Sequence, residues 1–101
     1  MTTTPLLRGD IVGDERATWD PMLALAGEEL TGWFMWMFEI RLEDGTSVHA
    51  YKHQMTRRYV HLAEDGRAFA YVGERGYQEV DPRGALAAAV ARRPGQRSSD
   101  R

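Results

Sequence analysis

Between Trp33 and Leu42 the chain alternates: Phe34, Trp36, Phe38, Ile40 and Leu42 interleave with Trp33, Met35, Met37, Glu39 and Arg41. A period of two marks a strand, because successive side chains of an extended chain point to opposite faces. The even positions are wholly apolar and are expected to face a core. The odd positions run from apolar to charged. The strand ends at Glu43-Asp44-Gly45, and the same tripeptide recurs as Glu64-Asp65-Gly66. Glycine supplies a left-handed conformation and the aspartate before it closes the turn. The stretches EDGTSVHAY and EDGRAFAY also share an Ala-Tyr ending, which suggests two hairpins of one kind. Such punctuation predicts strands over about 33–42, 46–53, 57–62, 67–72 and 76–80.

Two cap-plus-proline signals flank this block. Asp20-Pro21 predicts a short helix over about 21–30, carrying Met22, Leu23, Leu25, Ala26 and Leu30 on one stripe, with Gly27 as an interruption. Asp81-Pro82 predicts an alanine-rich helix over about 83–93, stopped by Pro94-Gly95, with Arg92 and Arg93 suited to its C-terminal dipole. Residues 1–18 show neither period and are expected to be a flexible N-terminal segment. Residues 94–101 are expected to be a disordered tail. The fold expected is α+β: one domain over 19–93, an antiparallel meander of about five strands, a short N-terminal helix, and a C-terminal helix packed on one face.

Strand register decides which side chains meet. A three-residue loop at Glu43-Asp44-Gly45 sets Ile40 opposite Val48 and Phe38 opposite Ala50, apolar against apolar. It also sets Glu39 opposite His49, Met37 opposite Tyr51 and Met35 opposite His53. A three-residue turn at Gln54-Met55-Thr56 would place His53 opposite Arg57, Tyr51 opposite Tyr59 and His49 opposite His61. Trp33, Met35, Met37, Tyr51, Tyr59, Arg57 and the three histidines would then share one uncovered face.

Composition narrows the chemistry. The chain of 101 residues has no cysteine, so it holds no disulfide and no thiolate-ligated metal. The start of the chain lacks a basic region followed by an apolar run, and the expected location is cytoplasmic. The net charge is −2, a weak footprint for a nucleic-acid binder. The charge is uneven, however. Residues 46–62 carry Lys52, Arg57 and Arg58 and no acid, together with all three histidines.

His49, His61 and Glu39 could converge on a metal ion, but His49 and His53 lie about 13 Å apart along one strand and cannot share one. No metal and no cofactor is therefore expected. There is no cysteine nucleophile, Ser47 follows a turn and Ser98 and Ser99 stand in the expected tail, and Gly73-Glu74-Arg75-Gly76 precedes a strand, so it does not cradle phosphate. The expectation is a non-catalytic contact module, a homodimer or an adaptor for another protein, working through Trp33, Met35, Met37, Tyr51 and Tyr59 with Arg57, His49, His53 and His61 at the rim. Two alternatives share these residues. One is single-stranded nucleic-acid binding by the basic aromatic hairpin 49–62. The other is a small-ligand or enzymatic site around His49 and His61.

Overall fold

A computed structural model describes residues 5–91 of the chain. In order, the elements are β1 (Leu6–Gly13), α1 (Asp20–Thr31), β2 (Phe34–Leu42), β3 (Ser47–His53), β4 (Tyr59–Ala63), β5 (Ala68–Gly73), β6 (Gly76–Val80) and α2 (Pro82–Val90). Each strand pairs antiparallel with the next, and β1 pairs with both β2 and β6. The sheet is a closed six-stranded barrel, where the sequence predicted an open meander of five strands.

The difference is β1, which lies in the segment expected to be flexible. Its sequence, LLRGDIVG, hides the alternation because Gly9 stands at an inward position. A Cβ at Gly9 would lie 2.7 Å from Leu42 Cδ2 and 2.9 Å from Ile40 Cγ2, so β1 crosses β2 where only glycine fits. Closure removes both sheet edges, which would otherwise offer unpaired backbone groups.

No helix opens the fold. α1 follows β1 and is broken at Gly27, where φ is 83° and ψ 167°. Its first turn has no side-chain cap, so Asp20 does not act as one. The buried Thr31 hydroxyl donates to the Met22 carbonyl at 3.3 Å and holds the two pieces together. α2 starts as expected: Asp81 accepts from the Gly84 amide at 2.8 Å. It packs against β4 and β5. Arg92, Arg93 and the expected tail 94–101 lie outside the described residues. None of the described helices is long and apolar enough to cross a membrane.

The two Glu-Asp-Gly turns are built alike. Leu42 N–H donates to Thr46 O and Gly45 N–H to Leu42 O; Ala63 N–H donates to Arg67 O and Gly66 N–H to Ala63 O. Both glycines have positive φ, 92° and 98°. The register set by the first turn is the expected one for Ile40–Val48, Glu39–His49 and Phe38–Ala50. A bulge at Met37 then shifts it, so Trp36 faces Tyr51, Met35 faces Lys52 and Phe34 faces His53. The second hairpin also differs by one residue. Its loop has four residues, closed by His53 N–H to Arg58 O, with Arg57 at φ 67°. His49 therefore faces Leu62, and His61 faces Ala50.

The Met37 bulge explains why β2 is so apolar. The strand serves two cores. Phe38, Ile40 and Leu42 join Leu7, Val48, Ala50, Ala63, Phe69 and Tyr77 in a cluster fed by every strand and by no helix, which is the barrel interior. Phe34 and Trp36 lie on the outer wall with Tyr51, Val60, Leu62 and Ala68, under Met22 of α1 and Ala89 of α2.

Candidate functional site

The weakest seam of the barrel lies between β4 and β5. Only His61–Phe69 and Leu62–Ala68 pair there. Tyr59 and Tyr71, next in the same register, do not. α2 lies beside this gap, tied to the β4 side by two hydrogen bonds of 2.5 Å, from Thr56 Oγ1 to Ala89 O and from the Arg58 guanidinium to Ala88 O. Between α2 and the barrel interior is a cavity of about 1100 Å³. Phe38, Tyr59, His61, Phe69, Tyr71 and Tyr77 give it aromatic walls, and Ala85, Ala88 and Ala89 of α2 leave room where larger side chains would fill it.

His61 is the polar group within these walls. Its ring stacks on Tyr59, with centroids 5.7 Å apart and planes inclined at 14°. Tyr77 meets it edge-on at 5.5 Å. Burial pushes the His61 pKa down to about 4, so at neutral pH the imidazole offers one donor and one acceptor. Neither its nitrogens nor the Tyr77 hydroxyl has a hydrogen-bond partner among the described residues, and none of these atoms is both buried and unpartnered. Burial, followed by the nearby Tyr71 and Asp10, raises the Tyr77 pKa, so its hydroxyl keeps its proton. At the rim Arg75 pairs with Asp10 at 2.6 Å.

A second polar cluster lies outside the barrel wall. Arg16 holds Glu39 through two bonds of 3.2 Å and reaches Glu64 at 3.4 Å. His49, wholly buried, sits 2.9 Å from Glu64 through Nε2 and accepts from the Trp36 indole through Nδ1 at 3.1 Å. Burial alone would raise the Glu39 pKa. The Ser47 hydrogen bond, the Arg16 charge and hydrogen bonds from Arg41 and Arg16 outweigh it, and the carboxyl stands below its usual 4.5.

Glu39, His49 and Glu64 each bring one possible ligand atom within 4.8 Å of the others. The donor set nevertheless does not suit a metal. An indole N–H can only donate, so Nδ1 of His49 is the acceptor and the ring proton sits on Nε2, aimed at Glu64. A metal on Nε2 would force that proton onto Nδ1, against the indole. Arg16 already supplies the cation that the two carboxylates need. This cluster fastens residues 14–19 to the barrel.

The structure separates the nine residues that the sequence placed on one face. Trp33 and Met35 are exposed, and Met37 is half-buried at the bulge, against the interior cluster. Tyr51 is wholly buried on the outer wall, packed on Trp19, with its hydroxyl donating to Thr18 O at 2.5 Å. His53 ends β3, and its Nδ1 accepts from the amides of Met55 and Thr56 in the turn that follows. Burial lowers its pKa. Arg57 is exposed in the same turn. Tyr59 and His61 line the cavity, while His49 points out through the opposite side of the wall. The one-residue shift of the second hairpin is the reason that no site joins His49 to His61.

The sequence reading missed Arg16 and Glu64, and the cavity residues Phe69, Tyr71 and Tyr77. Phe69 and Tyr71 stand two apart and Tyr77 pairs with Tyr71 across a tight turn, a signal that all three share one face. Without β1 there was no inside for that face to line. No protein-family model matches the chain, and comparison with curated proteins and with solved structures found no match.

Proposed function

We propose that the protein binds a small, largely apolar molecule in the cavity between α2 and the barrel interior. One observation carries this reading: a cavity of about 1100 Å³ has aromatic walls, and its polar atoms without a partner among the described residues include those of His61 and the Tyr59 and Tyr77 hydroxyls. Small-molecule sites combine such an apolar lining with a few convergent polar groups, in volumes of roughly 300–1,000 Å³.

The test is fluorescence titration with an environment-sensitive apolar dye, followed by competition with a panel of flat apolar compounds. Ala85→Phe puts a ring into the cavity from α2. Saturable dye binding is expected for the wild type and not for a folded Ala85→Phe variant. Equal binding to both proteins would place the dye elsewhere and end this reading.

A second reading, contact with a protein partner or with a second copy, is supported by the exposure of Trp33 (49%), Met35 (41%) and Met55 (68%). The Gln54 amide donates to the Trp33 carbonyl at 2.9 Å, which brings the turn that carries Met55 beside Trp33. Light scattering on a sizing column tests it. Association that Trp33→Glu abolishes would support it, and a wild-type monomer at all concentrations would exclude self-association.

A further inference from the structure

Of the four charged side chains that line the cavity, Arg58 and Asp81 make no ion pair among the described residues. Arg75 and Asp10 pair with each other at the rim. Asp81 is committed to the Gly84 amide as the cap of α2. Arg58 is different. It is half-buried, lines the same cavity, and makes no ion pair among the described residues. Its one bond, to the Ala88 carbonyl, uses a single donor of a guanidinium that has five. Resting on the reading of the cavity as a ligand site, we propose that the ligand is an aromatic carboxylate, its ring system against the Tyr59–His61 stack and its acid on Arg58.

The spacing sets the size of the molecule. Arg58 and His61 are three residues apart on an extended chain, roughly 10 Å. Two fused rings, or one ring on a short chain, span the distance. The gap in the β4–β5 seam lets one molecule touch both, since Tyr59 and His61 face inward while Arg58 lies on the outer side under α2. A planar acceptor such as a carboxylate suits the fork of a guanidinium, which can donate two parallel bonds to it. His61, kept neutral by its surroundings, adds a donor or acceptor for a ring substituent and no second charge. A cationic ligand would be repelled by Arg58, and Asp81, the acid there outside an ion pair, already caps α2 through Oδ2.

Naphthalene carboxylate and its uncharged carboxamide are the probes, since they share shape and differ in charge. Binding is followed at neutral pH and low salt by calorimetry and by the His61 ring signals in NMR. The carboxylate is expected to bind at least about tenfold more tightly than the amide, the scale of one charge-assisted hydrogen bond. Arg58→Gln is expected to erase that preference. Arg58 also ties down α2, so Thr56→Val, which removes the neighbouring tie to Ala89 and the acceptor of the Arg58 backbone amide but leaves the guanidinium, serves as the control for a loosened helix. It is expected to keep the preference. Equal binding of the two probes to the wild type would overturn the proposed charge while leaving the cavity as a ligand site. Loss of the preference in Thr56→Val as well would assign it to helix position and overturn the role of Arg58. No binding of either probe, with unmoved His61 signals, would overturn both the charge and the cavity reading.

Discussion

The indole N–H of Trp36 donates to Nδ1 of His49 at 3.1 Å. That bond fixes the tautomer of a wholly buried histidine and turns its remaining proton toward Glu64. Because Arg16 fills the cation position between Glu39 and Glu64, zinc is expected to leave the His49 ring signals unmoved in an NMR titration. A shift that saturates with zinc would mean that the metal displaces Arg16. Arg16→Gln leaves Glu39 buried with only Arg41 as a charged partner, and is expected to lower stability by about 1–2 kcal/mol. That is below the 3–5 of a fully buried broken pair, since Arg16 itself is exposed. Urea unfolding at neutral pH measures it.

Acid is expected to destabilise the fold through His61. Its pKa is about 4 in the folded chain against 6.5 when free. The unfolded state therefore binds more protons between these values, and stability falls as pH drops from 6.5 toward 4. The full loss is about 3 kcal/mol at 1.36 kcal/mol per pH unit. His53 shifts the same way. Glu39, whose pKa lies below 4.5, adds a loss of the same sign only at lower pH. Urea midpoints across this range should be steep for the wild type and flatter for His61→Phe. Equal slopes would show that His61 does not carry the effect.

Closure of the barrel depends on the close approach at Gly9. Gly9→Ala puts a methyl group against Leu42 and Ile40, and is expected to cost about 1–3 kcal/mol, as overpacking of a filled interior does. Hydrogen exchange should speed up first at the amides that pair β1 with its neighbours. Unchanged protection there would mean that the strands separate easily enough to admit the methyl.

Met37 separates the two uses of β2. On the flat face read from sequence, Met37→Glu would leave the fold intact and abolish association. In the barrel Met37 packs on the interior cluster at the bulge, and a half-buried glutamate there is expected to cost about 1–3 kcal/mol. Thermal unfolding decides between these: a variant as stable as the wild type would return Met37 to the surface.

The legible parts of this fold were those set by local chemistry. Both Glu-Asp-Gly turns, the register from Ile40 to Phe38, and the Asp81 cap follow from neighbouring residues. The illegible parts were set by distant ones. Gly9 reads as a strand breaker until Leu42 lies against it. Met37 fits perfect alternation, and only the demand for two cores on one strand makes it a bulge. The candidate site failed for the same reason. His61 is in the cavity, but its companions Phe69, Tyr71 and Tyr77 become neighbours only when β1 closes the barrel.

The turn after His53 decided where the histidines went. A three-residue loop would have set His49 opposite His61. The observed loop has four residues, and Arg57 takes φ 67° to close it through a bond from its amide to the His53 carbonyl at 2.8 Å. A side chain in the left-handed region costs about 1–2 kcal/mol. Glycine removes that strain but adds about 0.4–1 kcal/mol of backbone freedom to the unfolded chain. Arg57→Gly is therefore expected to stabilise by roughly 0.5–1 kcal/mol, with the His49 and His61 signals unchanged because the loop keeps its length. A destabilised variant would show that the Arg57 side chain, and not only its backbone, holds the turn. In that case the basic hairpin regains a structural role for its exposed charge.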